Sequence, residues 1–155
     1  MSDDVHGTEV TLGRIETEVA LLMRLGEATR RGTGTMEHRL LDRAAYVILR
    51  HLDAAGPQNV SALAARLNLD GSTVTRQVSA LQRDGLISRT PDPADGRGTV
   101  ISATVAGLQR MAAVRAARTR LYGDILAGWP EADRETLADM LHRLNEALDA
   151  RNRRR

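Results

Sequence analysis

The 155 residues carry 22 Arg, no Lys and 20 acidic side chains, a net charge of +2, and lack Cys and Phe; Tyr46, Tyr122 and Trp129 are the aromatics. The missing Cys excludes disulfides, thiolate metal sites and thiol switches, and three aromatics are too few for a single-strand stacking platform. At 42% apolar and 27% charged residues the chain is expected to be a soluble globular domain; with no apolar run near the roughly 18 residues of a membrane span and no leader pattern, a cytoplasmic protein is expected.

Charge is unevenly distributed. Residues 1–37 carry four Arg against seven acids (−3), residues 38–103 eight against six (+2), and residues 104–155 ten against seven (+3). Arg spread along the whole chain favours a compositional origin over a phosphate-binding signature. Any nucleic-acid function must therefore rest on where charges sit.

The N-terminal segment predicts a helix from about Thr8 to Thr29, with Leu12, Ile15, Val19, Leu22 and Leu25 on one stripe. Gly32-Thr33-Gly34-Thr35 reads as a connection, followed by a helix from about Met36 to Ala54 that Gly56-Pro57 stops. Ser61 opens a short helix carrying Leu63, Ala64 and Leu67. After the Asn68-Leu69-Asp70-Gly71 break, Asp70 caps a helix from about Gly71 to Asp84, closed by Gly85. Two helices joined by so short a turn are a helix-turn-helix candidate.

Residues 86–90 and 99–103 predict two strands around the turn-rich Pro91-Asp92-Pro93-Ala94-Asp95-Gly96-Arg97-Gly98, a hairpin with a long exposed tip. Thr104 caps a helix to about Ala127. Pro130 suits the first turn of a last helix, striped by Leu137, Met140, Leu141, Leu144 and Leu148. The expected fold is mainly α with a small β-hairpin.

On the helix at 71–84, about 100° per residue puts Val74, Val78 and Leu81 in one narrow arc. The opposite arc holds Ser72, Arg76, Ser79 and Arg83, with Thr73 and Thr75 to either side and Gln77 at the edge of the apolar arc. A face of hydroxyls and Arg without an acid fits a major groove: Arg bonds guanine bidentately, and Ser and Thr reach phosphates or base edges. The helix N-terminus, with its partial positive charge, is expected to favour phosphate. An ordinary solvated helix face shows the same polarity, so the hairpin matters. Arg97 at its tip, near Asp95, suits a minor-groove probe, and Arg89 stands at its base.

The run Ser61-Ala62-Leu63-Ala64-Ala65-Arg66-Leu67, then Ser72-Thr73-Val74-Thr75-Arg76 through Leu81-Gln82-Arg83-Asp84-Gly85-Leu86-Ile87-Ser88-Arg89 and Asp92-Pro93-Ala94-Asp95-Gly96-Arg97, with Thr104 and Gly107, resembles the MarR family of transcriptional regulators. The motif resemblance covers about Leu41 to Gly107. It implies a winged helix-turn-helix lobe at 38–104, flanked by an N-terminal dimerisation helix and linker at 1–37 and C-terminal dimerisation helices at 105–155. It further implies a homodimeric, ligand-responsive repressor on a pseudo-palindromic double-stranded operator, without cofactor or metal. Ser72, Thr73, Thr75 and Arg76 are the implied recognition-helix contacts and Arg97 the minor-groove contact steadied by Asp95; Arg83 and Arg89 join them on the residue reading above. Gly96 stands where many members have Arg, and Ala103 where Leu is frequent.

Apolar stripes around 12–25, 105–127 and 137–148 exceed what a lobe of about 65 residues can cover, so a second chain is the economical burial. The resemblance also implies a small aromatic or lipophilic effector. Met23, His38, Tyr46 and His51 could line such a cleft, but each is better explained by plain packing or surface, so the ligand site stays unassigned. No nucleophile elbow, phosphate loop or paired metal-ligand motif points to an enzyme. The alternative is a winged-helix interaction module that does not bind DNA specifically.

Overall fold

The computed structural model describes residues 2–32, 41–68, 70–95 and 98–154. The chain divides into two units between residues 38 and 39. The first contains α1 (Ser2–Gly32), one continuous helix. It outruns the expected Thr8–Thr29 at both ends, because no proline interrupts it. Leu12, Ile15, Leu22 and Leu25 on its stripe are exposed.

The second unit runs α2 (Arg43–Ala55), β1 (Gln58–Asn59), α3 (Val60–Leu67), α4 (Gly71–Arg83), β2 (Ile87–Pro91), β3 (Thr99–Ala103), α5 (Val105–Ile125) and α6 (Glu131–Asn152). The second helix starts later than the expected Met36: Leu41 and Asp42 are not helical, Asp42 being its extended N-cap, while residues 36–40 lie outside the described residues. Asp42 caps α2, accepting from the Ala45 N–H at 2.7 Å. α3 begins one residue before the expected Ser61, since Asn59 supplies the N-cap by accepting from the Ala62 N–H. Asn68 ends α3 in the left-handed region (φ 49°), a conformation Asn tolerates.

The hairpin expectation is extended by a third strand. β1 pairs with β3 (Gln58 opposite Ile101), and β3 pairs with β2 from Ile87 opposite Ala103 to Pro91 opposite Thr99, all antiparallel. β2 thus starts one residue later than expected and includes Pro91. α5 ends at Ile125 rather than Ala127, and Pro130 occupies the N-cap position of α6 rather than its first turn.

One core holds this unit together. Ile48 and Leu49 of α2, Leu63 of α3, Val74 and Val78 of α4, Leu86, Ile101 of β3 and Val114 of α5 are all fully buried. α4 ends in a Schellman arrangement: Gly85 N–H donates to Gln82 O at 3.0 Å and Leu86 N–H to Leu81 O at 2.8 Å, with Gly85 at φ +70°. Leu81 and Leu86, the apolar pair that accompanies this motif, are both buried.

The chain that leaves this turn is gripped again by the start of α5. Thr104 N–H donates to Leu86 O at 3.0 Å, its hydroxyl donates to Gly85 O at 2.7 Å, and the same oxygen accepts from Gly107 N–H at 3.0 Å. Gly107 is buried here, and a Cβ on it would lie 2.1 Å from Leu86 O. Gly107→Ala raises helix propensity by roughly 1 kcal/mol, yet the backbone carbonyl cannot yield as a side chain would. Overpacking wins: the substitution is expected to lower stability by about 2–3 kcal/mol, read as a lower urea midpoint at unchanged slope; a midpoint raised above wild type contradicts this packing.

Candidate nucleic-acid interface

The recognition-type helix α4 is oriented by what it buries. Val74, Val78 and Leu81 face the core, leaving Ser72, Thr75, Arg76, Ser79 and Arg83 exposed along the opposite side and Thr73 half-buried. This is the arc drawn from the sequence. Arg89 is exposed on β2, opposite Ile101 of β3.

At the head of α4, where the helix N-terminus is expected to favour phosphate, the expected cap is in place. Asp70 is that cap: its carboxylate accepts the Thr73 N–H at 2.9 Å, the Ser72 hydroxyl and the Thr73 hydroxyl. The two hydroxyl protons, together with these main-chain contacts, hold the Asp70 carboxyl well below the ordinary carboxylate range. With their single protons committed, Ser72 and Thr73 keep only acceptor lone pairs, the chemistry that suits base amino groups such as those of cytosine and adenine. Donation to a phosphate requires displacing Asp70. Asp70 is thus not only a helix cap; the Asp-x-Ser-Thr spacing puts both hydroxyls within its reach without fixing where their protons go.

Two further features lay beyond sequence reasoning. Gln77, at the edge of the buried arc, donates through Nε2 to Oδ2 of Asp42 at 3.0 Å, across 35 residues of chain. The base of the wing is pinned by Asp92, whose N–H donates to Gly98 O at 3.0 Å and whose side chain accepts from Ala94 N–H at 2.8 Å. Gly98 N–H donates to Asp95 O at 2.8 Å. Gly96 and Arg97 lie outside the described residues, so the pairing expected between Arg97 and Asp95 is not described.

Of the effector-cleft candidates, Tyr46 is half-buried under the Arg118 guanidinium, 4.7 Å from its ring centre. His51 lines a surface groove of about 480 Å³ with Arg66, Gln58 and Arg153; desolvation, then the Arg66 charge, lowers its pKa. Met23 is exposed on α1, and His38 lies outside the described residues. Among the described residues no group of three His, Asp or Glu is placed to hold a metal ion, and no helix is long and apolar enough to cross a membrane.

A helix-turn-helix braced by a three-stranded wing, with an Arg-bearing helix face turned outward, defines a winged-helix DNA-binding protein. Residues 41–99 match the family model described as the MarR family. An HTH-type transcriptional regulator of Bacillus subtilis, YxaD, is 38% identical over 108 residues, 70% of this chain and 76% of that protein. The HTH-type transcriptional repressor IacR of Pseudomonas putida is 30% identical over 115 residues, covering 72% of this chain and 69% of IacR. Among solved structures, the PcaV transcriptional regulator of Streptomyces coelicolor in complex with its natural ligand superimposes with a TM-score of 0.65 at 27% identity, over 83% of this chain and 91% of PcaV. The chain belongs to the MarR family and is a DNA-binding transcriptional regulator.

The Asp70 arrangement has a testable pH signature. A carboxyl whose folded pKa lies below its unfolded value adds stability that is complete above the ordinary value near 4 and is lost as pH falls below it. Asp70→Asn keeps an N-cap acceptor but no charge. The stability gap between wild type and Asp70→Asn, measured by urea unfolding, is expected to be constant from about pH 7 to 5 and to shrink below about pH 4. A gap that widens on acidification contradicts this role.

Proposed function

We propose that this regulator is a homodimeric, ligand-responsive repressor, acting by binding rather than catalysis in the cytoplasm, on a pseudo-palindromic duplex with half-sites about one helical turn apart. The observation that carries the reading is the outward arc of α4, where Arg76 and Arg83 stand exposed with no acid between them. In this reading Arg76 bonds a guanine edge, Ser72 and Thr73 accept from base amino groups, Thr75 contacts bases or backbone near the helix head, and Arg83 and Arg89 contact phosphates. Arg97, supported by Asp95, enters the minor groove.

Residues 38–104 form the DNA-binding lobe and 1–37 and 105–155 the dimerisation regions. The apolar stripes support this division. α6 buries no residue in the single chain, and Met140, Leu141, Leu144 and Leu148 are all exposed on it. Tyr122, Ile125 and Trp129 extend the exposed apolar surface beside the end of α5. A second copy supplies the cover such helices need. The effector in this reading is a small aromatic or lipophilic molecule; the PcaV regulator, solved in complex with its natural ligand, supports ligand responsiveness but not the ligand's class.

Selection of bound duplexes from random DNA with the purified protein tests the reading. An enriched palindrome supports it, and its absence favours a winged-helix interaction module. Against the selected duplex, Arg76→Ala is expected to lose roughly 1–3 kcal/mol of base discrimination. Arg97→Ala is expected to weaken binding and flatten its salt dependence; unchanged affinity and slope remove Arg97 from the interface.

A further inference from the structure

Burial of Val74, Val78 and Leu81 fixes which side of α4 faces the core, but apolar contacts alone hold the rotation of a helix about its axis loosely. A helix with side chains is about 10–12 Å across, so a rotation of about 10° shifts its outer surface by about 1 Å. That is enough to spoil a bidentate Arg–base pair, whose two bonds require near-planar alignment. Besides the junction at its C-terminal end, a solvent-exposed polar contact on the side of α4 opposes such rotation: Gln77 Nε2 donates to Asp42 Oδ2 at 3.0 Å. The anchor is firm because Asp42 is itself fixed, its other oxygen accepting from the Ala45 N–H at 2.7 Å as the cap of α2. Its main-chain carbonyl accepts from Tyr46 N–H at 3.0 Å, so the first turn of α2 holds it by side chain and backbone together. Gln77 adjoins Arg76 and lies about 100° from it around the helix.

We infer that the Asp42–Gln77 hydrogen bond sets the rotation of α4, making Asp42 and Gln77 positioning residues for base recognition by Arg76. The inference rests on the reading of α4 as the base-reading helix. It assigns Asp42, at the head of α2, a part in sequence specificity without any contact to DNA. Each carboxylate oxygen then has its own role, Oδ1 starting α2 and Oδ2 indexing α4.

The two roles can be separated. Asp42→Ser retains an N-cap oxygen but is too short to reach Gln77; Gln77→Met keeps length and volume but has no donor. The measured quantity is the ratio of affinities of the full-length protein for its selected duplex and for a scrambled duplex, which cancels the uniform effect of removing a carboxylate. Each single variant is expected to lower this ratio roughly fivefold, the scale of one net hydrogen bond, with thermal unfolding still cooperative. The double variant is expected to fall no further than either single one, since both remove the same interaction. Additive losses, an unchanged ratio in both variants, or a loss confined to Gln77→Met overturn the inference; the last makes Gln77 a direct base reader. Arg76→Ala in the same assay separates the two levels. If it leaves the ratio unchanged, the reading of α4 fails and this inference with it; if it lowers the ratio while both other variants keep it, only this inference fails.

Discussion

The junction of Thr104, Gly107 and the Gly85–Leu86 turn is the constraint on which the rest of the lobe depends. Three hydrogen bonds and a carbonyl that would lie 2.1 Å from any Cβ at position 107 bring the end of α4, the start of β2, the end of β3 and the first turn of α5 to one point. Each bond is worth only about 1 kcal/mol net, but total stability is itself about 5–15 kcal/mol, so their combined loss would be a large fraction of it. The geometric effect is larger than the energetic one. Because α5 starts where α4 has just ended, a displacement of the first turns of α5 moves the base of the wing and the foot of the recognition helix with it.

Electrostatics in this lobe is a matter of placement rather than amount. A lobe of only +2 does not attract DNA by bulk charge. The outward arc of α4 nevertheless carries Arg76 and Arg83 with no acid on the arc itself, although the capping Asp84 follows Arg83 directly; at the other end of the helix Asp70 is folded back on Ser72 and Thr73. That carboxylate satisfies the helix N-terminus internally and offsets the phosphate attraction an uncapped end would have. The absence of Cys removes thiol oxidation as a signal.

Local signals were legible in the sequence where the physics is local. The Val74, Val78 and Leu81 arc follows from helical periodicity, and the caps Asp70 and Thr104 follow from residue type and spacing. β1 escaped because two residues have no periodicity to detect; their strand character comes from pairing with β3 across the sheet. Asn59 caps α3 ahead of the expected Ser61 because the helix begins where β1 ends, which residue type alone does not fix. Gly107 showed only as part of a motif, since the reason for it is the main chain of Leu86, brought near by the fold. Gln77 was placed on the correct side of α4, but its partner stands 35 residues away. Of the candidate site, the exposed arc of α4 was readable from the chain; the inward commitment of Ser72 and Thr73 was not, because spacing alone does not say where a hydroxyl proton goes.

By bridging Gly85 O and Gly107 N–H, the Thr104 hydroxyl fixes the recognition helix against α5, and the rest of the lobe follows from that. Duplex affinity of Thr104→Val and Thr104→Ser, compared at a temperature where both are fully folded, tests this most directly. Serine keeps the bridging oxygen and valine removes it at similar volume. Near wild-type affinity is predicted for Thr104→Ser and a loss of roughly fivefold or more for Thr104→Val, corresponding to one or more hydrogen bonds; wild-type affinity in Thr104→Val would contradict it.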